Sequence, residues 1–585
     1  MPFDGICLRA VVREVRECLL GGRVSRVHQP APLEVVLVVS RGGTRRLLLS
    51  AHAEEARAHL IEETPPNPER PPVFCQVLRK HLEGLRLVEV AQPDLERVLL
   101  LDFAPAAGAP PARRLVAEFM GRHSNIILLA DGVIVDAVKR YSHAVSRHRE
   151  VLPGRPYVPP PEADKLDPCN PDEETLSRRL LSHPLDTPLA AALQRSVAGL
   201  STVLAREVVF RAGLPPDLAL EFCGAHELRL LRCALERMTA DVREGRFRPT
   251  LVLERGHPVE FAALDLTHCG HLDRRHRESV SLLLEEYFGR KKRLEALRRE
   301  KQSLLTVINR HRKGLGAQVE ALRAALEEDP ERYRVYGELL MAHLHRVTPG
   351  SDSVTLENFY DGNLEVSVPL RPELSPVANA QHYFKRYRKL KRAREESLEK
   401  RERLREELAY LEGLELAVEL AETLEELADV RRELEEQGYL PREAEIRRDR
   451  RVLPGSGPLR FLSSDGLEIL VGKNNRQNEY LWRHVATDGD LWLHAKDLPG
   501  AHVIVRTGGR PVPPTTLEEA ASLAAYFSRG RGAAKVPVDY TLRCNVYKPK
   551  GARPGMVLYE DFRTVVAAPD PDLVARLAGP SAGVP

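Results

Sequence analysis

The sequence predicts a multidomain α+β protein, and three observations carry that prediction. A chain of 585 residues is too long for one core and implies about three to five domains. Strand and hairpin patterns with turn signals occur near both ends, at ADG (130–132) and at DG (465–466). Between them, two long stretches keep leucines three or four residues apart, the period of packed helices.

Taken in order, residues 1–174 read as a mixed α/β domain. VREVRECLL is helical; LEVVLVVS, TRRLLLSA and ERVLLLDFA run as strands, and LVAEFMGRHSNIILLADGVIVDAV continues them. The domain closes on a proline-rich linker at 151–174, where prolines deny a ladder or a helix its N–H donors. Residues 175–245 are helical. Inside them SVAGLSTVLAREVVFRAGL reads either as a helix-hairpin-helix, aiming N–H groups at a phosphate, or as an ordinary packing corner. Residues 246–277 connect. Residues 278–440 form a long antiparallel coiled-coil arm of two helices, 278–328 and 376–436, with a small middle domain at 330–375. Prolines 349, 369, 372 and 376 argue against one continuous helix. Residues 445–565 form an α+β C-terminal domain, and 566–585 read as a frayed tail.

The net charge of +3 says little about partners, but its distribution says more. Residues 290–313 hold ten Lys/Arg against two Glu, residues 385–405 eleven against four, and residues 406–436 reverse to two Arg against twelve acids. Folded about 330–376, the arm would neutralise its base. It would also bring 301–313 beside 385–405, leaving a basic outer stripe that includes Lys385, Arg386, Arg388 and Lys389. Such a stripe is a footprint for phosphate, or else a solvated helix face.

Little in the sequence points to bond chemistry. No Walker loop, GxSxG, HExxH or GxGxxG is present, and no cofactor is implied. His268, Cys269 and His271 cluster without a fourth ligand, so no metal is expected. The eight cysteines form no CxxC pair and read as reduced thiols of a cytoplasmic protein. Neither a signal segment nor a membrane span is visible, and no membrane partner is expected. Pro2 could present a secondary amine of the kind DNA glycosylases use, but Phe3 follows it where a glutamate is needed. The C-terminal domain is richer. Lys473, Asn474, Asn475, Arg476 and Asn478 precede Trp492, His494, Lys496, Asp497 and His502, a concentration of amides, bases and an aromatic that suits RNA.

Several segments together carry a family resemblance. They are FDGI (3–6), FCQVLRKHLEG (74–84), EFMGRHSNIIL (118–128), RHREVLPGRPYVPPP (147–161), YGELL (336–340), NAQHYFKRYRKLK (379–391), GKNNRQNEYL (472–481), DLWLHAKDLPGAHV (490–503) and VDYTLRCNVYKPKGARPGMV (538–557). In this order the chain resembles the NFACT family of ribosome quality control factors from end to end. The resemblance implies an NFACT-N domain, a helix-hairpin-helix domain, a coiled coil with a middle domain, and an NFACT-R RNA-binding domain. It implies a ribosome-associated factor acting as a monomer on the large subunit, touching rRNA and stalk-base proteins, with a small helper RNA-binding protein. Its other partners would be peptidyl-tRNA and alanyl-tRNA, and its product an mRNA-independent alanine tail. Peptidyl transfer would belong to the ribosome, so the chain would not be an enzyme.

The family's Asp-Arg pair for tRNA falls on Glu96-Arg97, one methylene longer at the acid. Its second tRNA element falls on Glu118, Phe119, Met120, Gly121, Arg122 and His123, with Phe119 in place of an aliphatic residue. Ala501 stands where the family carries serine. Arg122 and His123 read as a recognition surface at the lip of a strand; alternatively, Arg122, Ser124 and Asn125 tie a tight turn internally. Two other readings remain: a surface fibronectin-binding adhesin, and a glycosylase working through Pro2.

Overall fold

The computed structural model describes residues 3–143, 148–161, 164–169, 172–326, 328–441 and 457–578. Pro2 lies outside them, as do the last seven residues of the expected tail. The chain divides into two compact units, Met1–Leu294 and Glu295–Val584.

The first unit is built on a nine-stranded sheet. Its strands are β1 (Arg23–Ala31), β2 (Glu34–Ser40), β3 (Thr44–Ser50), β4 (Arg57–Ile61), β5 (Arg86–Ala91), β6 (Val98–Ala104), β7 (Arg113–Glu118), β8 (Asn125–Ala130) and β9 (Val133–Ala137). The order is β4-β3-β2-β1-β5-β6-β7-β8-β9, and every pairing is antiparallel. Helices α1 (Gly5–Leu19) and α2 (Val73–Leu82) lie on this sheet and bury Cys7, Leu8, Val11, Val15, Phe74, Leu78 and Leu82 in a common core. The ADG turn forms as read, with Asp131 and Gly132 both at positive φ.

A second core of the same unit gathers α3 (Glu173–Leu181), α4 (Leu189–Ser196), α5 (Thr202–Arg211) and α6 (Ala225–Glu244). The segment 246–277 is more than a connection. It carries the three-stranded sheet of β10 (Thr250–Glu254), β11 (His257–Ala262) and β12 (Asp273–His276). The run TLVLE buries both of its faces: Leu251 and Leu253 enter the first core and Val252 the second. A segment read from apolar content alone looks like a linker when its few apolar residues serve two cores at once.

In the second unit, α7 (Val280–Ala325), which starts in the first, packs from Leu297 onward against α9 (Pro376–Leu420) and α10 (Leu424–Glu436). Leu304 and Ile308 meet Leu411, Leu414, Val418, Leu427 and Leu434. Two expectations need correction here. The helix predicted to run to 436 breaks at 421–423, where the Thr423 side chain accepts from Glu426 N and the Glu426 carboxylate accepts from Thr423 N, a capping box, and also from Glu422 N. The register also differs. Lys301 donates to Glu419 O (2.9 Å) and Arg312 pairs with Glu412 and Glu415 (3.2 and 2.7 Å), so 301–313 face acids and not 385–405. Opposite the basic stretch stand Glu328 and Asp329, paired with Arg386 and Arg394.

The insert explains the shift. Helix α8 (Glu331–Ala342) and the hairpin β13 (Ser353–Asn358) and β14 (Leu364–Pro369) form their own core on the first turns of α9, around Tyr336, Leu339, Leu356, Val368 and Tyr383. A Cβ on Gly337 would come within 2.9 Å of the Phe384 ring, so α8 seats closely there. The start of α9 is thereby taken by the insert, and α7 meets it later.

The C-terminal domain is a six-stranded antiparallel sheet with α12 (Pro514–Tyr526) on one face. Its strands are β15 (Leu459–Leu462), β16 (Glu468–Val471), β17 (Leu491–Ala495), β18 (Val503–Val505), β19 (Val536–Leu542) and β22 (Arg563–Ala567); β20 (Val546–Tyr547) pairs separately with β21 (Leu558–Tyr559). Helix α11 (Asn475–Tyr480) precedes β17. The expected frayed tail is folded through 578: α13 (Pro571–Leu577) is capped by Asp570 and buries Leu573, Val574 and Leu577 in the domain core. Its Pro571 sits at the helix start, where a missing N–H costs nothing.

Candidate nucleic-acid interface

In the first unit the expected tRNA residues sit at neighbouring strand ends. Val98 at the start of β6 pairs with Glu118 at the end of β7, and Phe119 N donates to Arg97 O at 2.9 Å. This brings Glu96-Arg97 beside the 118–123 segment. The loop before β6 is pinned by Gln92, whose amide donates to Glu96 O (2.8 Å) and Gly5 O (2.9 Å). Glu96 and Arg97 are half-buried and line a small cleft of about 150 Å³ with Asp4, Lys165, Gly199 and Ser201. Gly199, at φ +76°, sits so close to Leu95 that a Cβ would fall 2.8 Å from the leucine's own. Ser201 then caps α5, its hydroxyl accepting from Leu204 N while its own N–H donates to buried Asp4. Burial pushes the Asp4 carboxyl up, against the pull of these donors and of Arg97. Burial likewise lowers the Lys165 ammonium, and Arg97 lowers it further. A second cleft of about 350 Å³ runs from Glu96 past Met120 to Arg114, Tyr157 and the prolines 159–161.

The segment 118–125 divides into two parts. Glu118 and Phe119 are fully buried, so neither presents a side chain to a ligand. Phe119 packs edge-on against Phe3 at 5.3 Å. Glu118 accepts both arms of Arg149 (2.8 and 2.5 Å) and the Tyr157 hydroxyl (2.9 Å). Burial would lower Arg149, but Glu118 outweighs it and holds the guanidinium above its usual value. Ser124 and Asn125 tie the turn: the Ser124 hydroxyl accepts from Met120 N and donates to Gly121 O, and Asn125 exchanges hydrogen bonds with the Lys139 backbone. Gly121, at φ +60°, lets the chain turn there. Arg122 and His123 are left exposed on a short 3₁₀ turn, the arginine Nε donating to the histidine Nε2 at 3.0 Å. Ser124 and Asn125 thus tie the turn from within, while Arg122 and His123 stay at its surface.

In the second unit, four of the polar residues expected at an RNA surface lie in one segment that serves a different end. Lys473 is buried and its ammonium pairs with Glu426 of α10, with Glu422 at 3.7 Å. Asn474 caps α11 by accepting from Gln477 N. Asn475 donates to Glu433 Oε1 at 2.9 Å, and Arg476 lies 3.5 Å from Glu436. The segment thus fastens the C-terminal domain to α10. Asn478 is also consumed, accepting from His502 N and donating to Gly500 O. Lys496 stays partly exposed, 3.9 Å from Asp539. His494 and His502 line a cleft of about 430 Å³ between α9 and the C-terminal domain. On α9, Lys385, Arg386, Arg388 and Lys389 are exposed, with Arg386 over the Tyr333 ring at 4.2 Å.

Sequence reasoning missed the partners that decide these fates. Arg149 lies within the RHREVLPGRPYVPPP segment, yet nothing local ties it to Glu118. Glu433 looked like one more acid of a charged helix, and its burial shows only when Tyr410 and Asn475 arrive. One signal was available: Trp492 and His494 stand two apart on a strand and therefore share a face.

Among the described residues no cluster of His, Cys, Asp or Glu could hold a metal ion. His268 is instead bonded to Glu207 at 2.7 Å, with Cys269 Sγ 3.3 Å from its other nitrogen. No described helix is long and apolar enough to cross a membrane.

Residues 4–452 match the family model described as NFACT N-terminal and middle domains, and residues 458–561 match the NFACT protein RNA binding domain. A Bacillus subtilis protein named Rqc2 homolog RqcH is 36% identical over 99% of this chain and 100% of its own length. Human ribosome quality control complex subunit NEMF is 41% identical over a stretch covering 12% of this chain and 6% of its own. Among solved structures, the C-terminal part of a fibronectin/fibrinogen-binding protein from Streptococcus suis is 30% identical, covering 49% of this chain and 99% of that one, with a TM-score of 0.37. Two family models that together span nearly the whole chain, and a relative matched along its whole length, make this chain a member of the NFACT family, homologous to the RqcH, Rqc2 and NEMF ribosome quality control factors.

Proposed function

We propose that this chain is a cytoplasmic, ribosome-associated rescue factor. It binds large ribosomal subunits obstructed by peptidyl-tRNA, brings alanyl-tRNA to the A site, and directs mRNA-independent alanine tailing of the stalled chain for degradation. The observation that carries this reading is the full-length similarity to a protein named Rqc2 homolog RqcH. The geometry supports it in the first unit. Arg122 and His123 project from a turn tied from beneath, and Arg97 lies one hydrogen bond from the same segment. Arginine on a rigid turn offers a planar fork to a phosphate or a base edge without further ordering cost. Glu118 and Phe119 act from beneath by positioning that turn. Lys385, Arg388 and Lys389 supply exposed charge for rRNA, with stalk-base proteins and a small helper RNA-binding protein as further partners and the chain itself a monomer.

No bond chemistry is required of the protein. Peptidyl transfer belongs to the ribosome, and holding two tRNAs in place is the contribution. The test is Arg97→Ala in cells with stalled translation. Alanine tailing is expected to fall at least tenfold while cosedimentation with large subunits is retained. Loss of both would make Arg97 a structural residue, and a tagged wild-type chain that recovers no ribosomal RNA would overturn the rescue reading itself.

A further inference from the structure

The cleft between α9 and the C-terminal domain is built around a stacked pair of rings. Trp492 is fully buried, and His494 lies parallel to it, with ring centroids 5.7 Å apart and planes at 10°. His494 itself stays partly exposed. His502 stands perpendicular to both rings at 5.4 Å. Trp492 Nε1 and His502 Nδ1 are buried without a hydrogen-bond partner, although both residues line the cleft. Buried polar atoms are nearly always satisfied, so two such atoms at one cleft point to a ligand that supplies acceptors or donors.

The opposite wall is α9, through Gly413, Leu416, Ala417 and Leu420. Gly413 sits in the interior of a long helix, where glycine weakens the element. A Cβ there would meet nothing closer than Asn475 Oδ1 at 3.9 Å, so packing does not demand it. Its effect is to keep the cleft open. Glu412 and Asp497 also line the cleft, and its one lysine, Lys473, is already paired with Glu426. The lining therefore disfavours a phosphate and suits a flat, uncharged group with a polar edge.

We infer that this cleft seats one unstacked nucleobase of a single-stranded RNA, with His494 as its stacking surface and the base edge turned to Trp492 and His502. The inference rests on the RNA-binding reading of the C-terminal domain and deepens it. Stacking on a ring tolerates any base, so the seat selects for an unpaired nucleotide and not for a sequence.

The test uses the full chain and fluorescein-labelled hexa-adenylate RNA, read by anisotropy, beside a hexamer of the same backbone without bases. His494→Ala is expected to weaken hexa-adenylate binding about tenfold and leave the abasic hexamer unaffected. His494→Phe should restore binding by retaining a ring. Gly413→Leu should fill the cleft from the helix side and cause the same loss without touching the sheet, which covers the case in which His494→Ala fails to fold. Unchanged binding in both His494→Ala and Gly413→Leu would overturn the base seat and leave RNA binding standing. A wild-type chain that recovers ribosomal RNA but binds the two hexamers equally would overturn the seat alone. Failure to recover any RNA would overturn the underlying reading with it.

Discussion

Glu118 and Glu433 are both fully buried carboxylates, one beneath the exposed turn of the first unit and one at the joint of the second, and their surroundings differ. Glu118 meets a bidentate arginine and a tyrosine hydroxyl, so its charge is matched. Glu433 accepts hydrogen bonds only from neutral donors, the Tyr410 hydroxyl (2.6 Å) and the Asn475 amide (2.9 Å); its second oxygen has no partner, and the pull of nearby Arg476 is opposed by Glu436. Burial therefore pushes the Glu433 carboxyl up despite those donors. A matched charge gives a rigid base for the exposed turn. An unmatched one leaves a joint whose strength depends on a proton. Two polar stretches that look alike in composition thus do opposite work: one pushes Arg122 and His123 outward, the other draws Lys473, Asn475 and Arg476 inward.

The largest effect should come from breaking the matched pair. Arg149→Ala strands the Glu118 charge and is expected to cost the first unit about 3–5 kcal/mol. Denaturant unfolding followed by hydrogen exchange at 115–128 measures it, and an unchanged midpoint would end the contrast with Glu433. A smaller effect should follow from the unmatched acid. Its folded value lies above the unfolded one, so the folded joint holds the proton more tightly. The joint is weakest at neutral pH, strengthens as pH falls through the raised folded value, and has gained all it can below about 4.3, the ordinary glutamate value. Glu433→Gln should flatten this dependence in the exchange rates of 472–478 and strengthen the joint at neutral pH. If it instead loosens the joint there, the carboxylate is charged and better satisfied than its partners imply. The smallest change in stability should come from Arg122→Ala with His123→Ala, within about 0.5 kcal/mol because both are exposed. The same variant should lose tRNA from the recovered large subunits, so a stability loss with tRNA retained would reverse the assignment.

Much of the architecture was legible because it is local. Alternation and turn chemistry located the ADG and DG turns, where Gly132 and Gly466 take the positive φ that the pattern requires. Leucine spacing located α7 and α9, and ordered motifs identified the family from end to end. The break at 421–423 was less visible, since a capping box in TLEE reads equally well as helix interior until the chain turns.

By itself, then, the sequence determined the family, the type of the long periodic elements and which residues carry charge. The tertiary structure alone decided which of those charges face water. Helical period specifies a face but not an axial register, so only the seating of the insert on α9 shows that 301–313 oppose acids. The reason is the same for the polar segments. A side chain is consumed or exposed according to partners far along the chain, 31 residues for Glu118 and Arg149 and 42 for Glu433 and Asn475, and no local pattern encodes that meeting.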